Sequence, residues 1–449
     1  MNIISAITAR EQIDRFMLAD GMEPIIDLEK SHGAWLVDGR DGREYLDLFS
    51  MFASMPVGYN HPYVLENKER ITAAALNKPT NSDVYSTQMA EFVTTMGRVA
   101  QPDYLPYAFY IEGGALGVEN ALKTAFDWKV RKNLEAGKGE KGSKVLHFKE
   151  CFHGRTGYTM SLTDSPDPRK TMYFPQFDWP RIDNPKIHFP LNEKSLENVI
   201  NAESIAISQI KSALVNSTDD IAALIIEPIQ GEGGDNHFRC EFFQQLRSLA
   251  DEHEFLLIYD EVQTGAGITG KMWAHQLFKP SKCNCNCEKV NTKPDIICFG
   301  KKTQVCGIFA GDRLDEVEGH VFKESSRLNS TWGGNLVDMV RFTIYLEIIE
   351  QENLLKQVSE NGVYLKKGLE SLQISHSDKI FNTRNRGLFG AFDMNSSEER
   401  DKTLELIAKE GALMLGCGHK SIRFRPHLNI SRSEIDQGLA MIDRAISNI

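Results

Sequence analysis

No stretch of this sequence approaches the ~20 consecutive apolar residues that a membrane-spanning helix requires. The first twenty residues also lack the apolar block of an export signal, with Arg10, Glu11 and Asp14 where that block would lie. A soluble, cytoplasmic protein is therefore expected. Positive charge is in deficit: 51 Lys and Arg stand against 62 Asp and Glu, a net charge of -11. Such a chain repels a polyanion at long range, which argues against nucleic-acid binding as its main business. Cysteine is sparse, and eight thiols in 449 residues without an export signal read as reduced rather than as a disulfide framework. Cys283, Cys285 and Cys287 crowd into SKCNCNCEKV, yet the second Cys pair or His pair of a structural zinc site is missing. A polar surface loop is the better reading, and no metal is expected.

What is present is globular in composition, 41% hydrophobic and 25% charged, with the length for two or three domains. Compact apolar runs of strand length recur in the middle of the chain: KVLHF (144–148), IAALIIE (221–227), FLLIYDE (255–261) and DIICFG (295–300). Amphipathic segments such as FRCEFFQQLRSLADEHE separate some of them, so the pattern predicts an α/β fold whose mainly parallel sheet is covered by helices. Such sheets gather ligands at the carboxyl ends of their strands, where Glu227, Asp260 and Lys301 fall. From about Asn335 the pattern changes to long helices up to Leu372, then the strand-like GLFGAFDM and SIRFRP. Ser431 and Glu434 form a capping box before a final helix whose apolar face carries Ile435, Leu439, Ile442 and Ile446. This is read as a smaller α+β domain (335–449), completed by residues 1–75, in which WLVDGRDGREYLDLF forms a hairpin turning at Asp41-Gly42. Residues 76–334 make the large domain.

Chemistry concentrates in YDEVQTGAGITG and PDIICFGKKTQVCG. An aldehyde cofactor needs a lysine amine to hold it as an imine, and an acid opposite to keep its ring nitrogen protonated. Asp260 and Lys301 suit those roles, since adjacent parallel strands bring their ends to one edge of the sheet. Taken singly, an Asp-Glu after a strand also reads as a solvated loop, and a Gly-Lys-Lys as a surface turn.

Together the two motifs resemble the class III pyridoxal-phosphate-dependent aminotransferases of fold type I, and the resemblance runs from SHGAWLVDGRDGREYLDLF to SIRFRP. It implies a large domain with a mainly parallel sheet plus a smaller α+β domain, and pyridoxal 5'-phosphate held by Lys301, with Asp260 at the ring nitrogen. EGGALGVENALK (112–123) is a glycine turn opening a helix, so Gly114 and Ala115 are the implied phosphate contacts. The family usually carries Ser and Thr there, so only main-chain donors remain in this chain. Phe152 resembles the aromatic that stacks on the cofactor ring, and Gln263 the side chain that reaches its hydroxyl. Thr331 resembles a residue that reaches the phosphate of a partner subunit, which implies a homodimer.

Arginines decide which carboxylates are accepted, because a guanidinium grips one through two parallel bonds. Arg155 and Arg423 are the candidates, although each also reads as an ordinary surface ion-pair residue. The resemblance implies that Arg155 holds the distant carboxylate of a terminal amine while Glu232 masks Arg423 until 2-oxoglutarate enters. Within the class, DLEKSHGAWLVD, MFASMPVGYNHP, FPQFDWPRID, GKKTQVCG and SRLNSTWGGNLVDMVR are most similar to the branch acting on the 6-amino group of L-lysine. Asn329 and Gln276 are further candidates for contacts around the substrate. Ornithine or 4-aminobutyrate as donor stays open, as does an aminomutase of the same fold.

Overall fold

In a computed structural model of the protein, residues 4–278 and 291–449 are described; Cys283, Cys285 and Cys287 lie outside them. Seven strands form the central sheet, in the order Tyr107–Ile111, Cys306–Ala310, Ile296–Phe299, Leu256–Asp260, Ile221–Ile226, Lys144–Phe148 and Arg181–Ile182. All run parallel except Cys306–Ala310, which is antiparallel to both neighbours. The four apolar runs of the sequence are four of its five interior strands, buried at nearly every position because helices cover both faces. On one face lies the 22-residue helix Gly114–Glu135, with Val118, Ala121, Leu122, Ala125 and Trp128 wholly buried. The other face takes Cys240–Glu252, whose Phe242, Phe243 and Leu246 pack on Phe148 and Tyr259. None of the described helices is long and apolar enough to cross a membrane.

Helices Leu336–Gln351 and Leu354–Ser375 lead into an antiparallel sheet of Phe381–Arg386, Phe389–Asp393, Ser421–Phe424 and Leu415–Cys417. The two ends of the chain share a third sheet. Trp35–Val37 and Glu44–Asp47 form the hairpin, with Gly42 at φ +79°, and Glu44–Asp47 pairs in parallel with Ala412–Leu413. The closing helix Arg432–Ser447 starts on the reciprocal Ser431–Glu434 box.

One local feature has no signature in the sequence. Ser50, Met51, Phe52 and Ala53 all have positive φ, from 41° to 61°, and so make a left-handed turn without a glycine. Left-handed backbone costs an L-residue about 1–2 kcal/mol, so outside contacts must hold it. The Asp47 carboxylate accepts from the Phe49 and Ser50 amides (3.0 and 2.6 Å). Lys302 Nζ donates to the Ala53 carbonyl (3.0 Å), and Gln304 Nε2 to that of Ser54 (2.7 Å). The turn is thereby fixed to the segment that carries Lys301.

Candidate active site

Three segments converge at the carboxyl end of the sheet, each admitted by a missing side chain. Gly113, at φ +98°, starts the helix Gly114–Glu135, and no side chain caps it. Its first amides, those of Gly114 and Ala115, are left for an anion, with the helix dipole in support. Gly154, at φ +129°, lies so near that a Cβ there would stand 2.5 Å from that of Ala115. From the other side, a Cβ on Gly300 would meet Cys306 Sγ at 2.9 Å and the Gly114 Cα at 3.5 Å. The phosphate turn, the Phe152-His153-Gly154 segment and the Lys301 turn therefore enclose one cradle.

The parallel register sets Cys298 beside Asp260, so Lys301 emerges one strand away from the carboxylate. Asp260 is buried and doubly served: Oδ1 accepts from the Val262 amide (3.0 Å), and His153 Nδ1 lies 2.8 Å from Oδ2. His153 was not singled out from the sequence, although it sits between two residues that were. Glu227 backs this group, accepting from the amides of Phe152 (2.9 Å) and Gly231 (3.0 Å). Burial, reinforced by the nearby Asp260 carboxylate, pushes the Glu227 carboxyl well above its usual range. The first of these bonds fixes the backbone of Phe152, and the second ties it to the Gly231 turn. Gln263 lies against Gly231, where a Cβ would stand 2.4 Å from the Gln263 amide oxygen.

Lys301 has positive φ (54°), and its amine is pulled below the usual lysine value by burial first and by Arg423 second. An amine so shifted is more often neutral and can attack a carbonyl or take a proton. Lys302 is more deeply buried; burial, with Arg425 and Lys301 close by, drives its amine far down. Its partner is a carbonyl rather than an acid, so it braces the left-handed turn and forms no ion pair among the described residues.

The substrate side is built around Glu232. Its Oε2 stands 3.4 Å from Arg423 Nη2, the pairing expected of a masked arginine. Its Oε1 is held more closely by Lys170 Nζ, at 2.6 Å, a partner that a lysine in a polar loop gave no sign of becoming. Arg423 is 8% exposed and its Nε has no hydrogen-bond partner among the described residues. Arg155 is exposed and makes no ion pair among them. Asn329 and Thr331 lie on an exposed run, where Asn329 Oδ1 accepts from the Ser330 amide (2.7 Å) and the Thr331 carbonyl from Ser82 Oγ (3.2 Å). The structure does not bring these two to the Lys301 group. Nor does it bring Gln276, whose amide oxygen accepts from the Trp273 backbone (3.2 Å) and caps a local turn.

The cradle fits pyridoxal 5'-phosphate: an uncapped helix start for the phosphate, Asp260 for the ring nitrogen, and a buried amine for the aldehyde. Sheet order, the single reversed strand and this group define a pyridoxal-phosphate-dependent transferase of fold type I. Known proteins narrow the class. Residues 17–446 match the family Aminotransferase class-III. An L-lysine-epsilon aminotransferase of Mycobacterium tuberculosis is 46% identical over 440 residues, covering 97% of this chain and 94% of its own. The solved lysine aminotransferase of M. tuberculosis in its internal aldimine form matches at a TM-score of 0.94 with 45% identity, over 99% of this chain and 100% of that one. A 4-aminobutyrate aminotransferase of Schizosaccharomyces pombe is more distant, 32% identical over 458 residues, covering 98% of this chain and 93% of its own. The chain belongs to the class III aminotransferases, and its cofactor is pyridoxal 5'-phosphate.

Proposed function

We propose that this protein transfers the 6-amino group of L-lysine to 2-oxoglutarate. The products are L-glutamate and 2-aminoadipate 6-semialdehyde, which cyclises to a piperideine carboxylate. The Glu232–Arg423 pair beside Lys301 is the observation that carries the reading, and the similarity to lysine aminotransferases supports the choice of donor. With Arg423 masked, a donor whose amine has no adjacent carboxylate can approach Lys301, and the exposed Arg155 guanidinium takes the carboxylate at its far end. With the mask open, Arg423 takes the α-carboxylate of 2-oxoglutarate. One pocket then serves both halves of a ping-pong reaction.

Pyridoxal phosphate supplies the aldehyde that receives the amino group and the electron sink that acidifies the neighbouring C–H. The Gly114 and Ala115 amides would hold its phosphate, Phe152 would cover its ring, and Gln263 would serve its hydroxyl. Asp260, oriented by the Val262 amide and His153, would face the ring nitrogen and hold its proton. Lys301 Nζ, its basicity lowered by burial and Arg423, would act as the base and acid that moves a proton from the substrate's ε-carbon.

The working unit in this reading is a cytoplasmic homodimer, with Thr331 and Asn329 offered from their exposed run toward the partner subunit's site. Residues 76–334 form the cofactor-binding domain, and 1–75 with 335–449 the smaller one. A donor screen with holoenzyme and 2-oxoglutarate tests the assignment: L-lysine should give the highest kcat/KM for glutamate formation. Preference for ornithine or 4-aminobutyrate, or donor turnover without an acceptor, overturns it.

A further inference from the structure

We propose that Lys170 is a positioning residue of the acceptor half-reaction, the cation that keeps Glu232 when Arg423 is released to bind the dicarboxylate. This rests on the reading of Glu232 as the mask of Arg423. Glu232 already leans toward the lysine: 2.6 Å separates it from Lys170 Nζ and 3.4 Å from Arg423 Nη2. Both Lys170 and Glu232 are about one-quarter exposed, whereas Arg423 is 8% exposed. They line a cavity of about 460 Å³ that extends to Arg400, Gly418 and His419, which leaves the carboxylate room to withdraw from Arg423.

Lys170 is set for this by its surroundings. It ends a short turn, Pro168–Lys170, in which Asp167 accepts from the Arg169 amide (3.1 Å) and pairs with the Arg169 side chain (2.8 Å). Arg169 is thereby turned to the exposed side and Lys170 faces Glu232. The Lys170 ammonium also stands 5.7 Å from the centre of the Phe152 ring, within reach of its π face. Opening the mask without Lys170 strands a partly buried carboxylate, a penalty that falls on acceptor binding alone. With it, Glu232 exchanges two cationic partners for one.

The test compares Lys170→Gln, Lys170→Arg and Glu232→Gln holoenzymes. Lys170→Gln should raise the KM for 2-oxoglutarate about fivefold, the scale of a partly exposed ion pair, while the single-turnover rate with L-lysine stays the same. The Kd of glutarate, which carries the acceptor's two carboxylates and cannot react, should rise by the same factor in calorimetry. Lys170→Arg should restore both values. In a Glu232→Gln background the Lys170→Gln effect should vanish, since no charge is left to receive. An unchanged KM and Kd, an equal change in the lysine half-reaction, or an undiminished effect in the Glu232→Gln background overturns the proposal. If Glu232→Gln itself leaves acceptor and donor kinetics unaltered, the mask falls and the proposal with it; if Glu232→Gln alters them and Lys170→Gln does not, only the role of Lys170 falls.

Discussion

Two arginines, Arg423 in the strand Ser421–Phe424 and Arg425 just past its end, pair with two carboxylates from one turn, and the pairs differ in every respect that matters for motion. Arg425 and Asp235 are 2% and 0% exposed; Nη1 bonds Oδ2 at 2.8 Å and the guanidinium lies 3.2 Å from the centre of the Phe389 ring. Two residues away, Arg423 meets the quarter-exposed Glu232 at 3.4 Å, with a lysine competing for the same carboxylate. A fully desolvated pair cannot part without leaving a bare charge in the interior, whereas a half-wet one with a second cation can. The first fixes the small antiparallel sheet; the second is free to act as a switch.

The sharpest way to divide chemistry from framework is at the Lys301 amine, which feels Arg423. Lys301→Ala should lower turnover by at least about 10³-fold and remove the cofactor's imine absorbance, yet leave the denaturation midpoint of the apoenzyme near that of the parent. Retained turnover breaks the assignment. Next in size, Asp235→Asn should cost about 3–5 kcal/mol in chemical denaturation by stranding Arg425, while Glu232→Gln costs less than about 1 kcal/mol. Similar losses for both would erase the distinction between the pairs.

Smaller effects sharpen the picture. Arg155→Ala should reduce kcat/KM for L-lysine about 10- to 100-fold, the scale of one lost charge-assisted contact, with little change for simple amines that carry no carboxylate. The least effect concerns Lys302, whose amine is far less basic in the folded protein than in the unfolded chain. Between those two pKa values the unfolded chain binds the extra proton, so apoenzyme stability should climb with pH, by at most about 1.4 kcal/mol per pH unit. Lys302→Met should flatten that climb in denaturation midpoints taken at pH 7 and pH 9.5. A slope equal to the parent's would mean that Lys302 is not the group responsible.

The sequence exposes those parts of the molecule whose physics is local. Buried strands announce themselves as short apolar runs, and the Ser431–Glu434 box names the start of its helix. Asp260 and Lys301 were legible because strand ends in a parallel sheet share an edge. Tyr107–Ile111 and Cys306–Ala310 were not singled out, and the second of them is the sheet's only reversed strand. The 24-residue helix Glu193–Asn216 is equally quiet in the sequence, since only Val199, Glu203, Ala206 and Ile210 of it are buried. Contacts made by folding rather than by neighbours stayed hidden: Lys170 on Glu232, His153 on Asp260, Asp235 on Arg425. The left-handed turn at Ser50–Ala53 has no glycine or asparagine to betray it, since Asp47, Lys302 and Gln304 hold it from outside.

That turn, and the pairing of Leu46 with Ala412, carry a consequence for synthesis. A chain emerging from the ribosome exposes its amino-terminal segment long before the strand that will receive it has been made. The pocket cannot take its final outline until almost the last residues are translated. A nascent chain therefore carries the reactive amine before it has a finished chamber to shelter it.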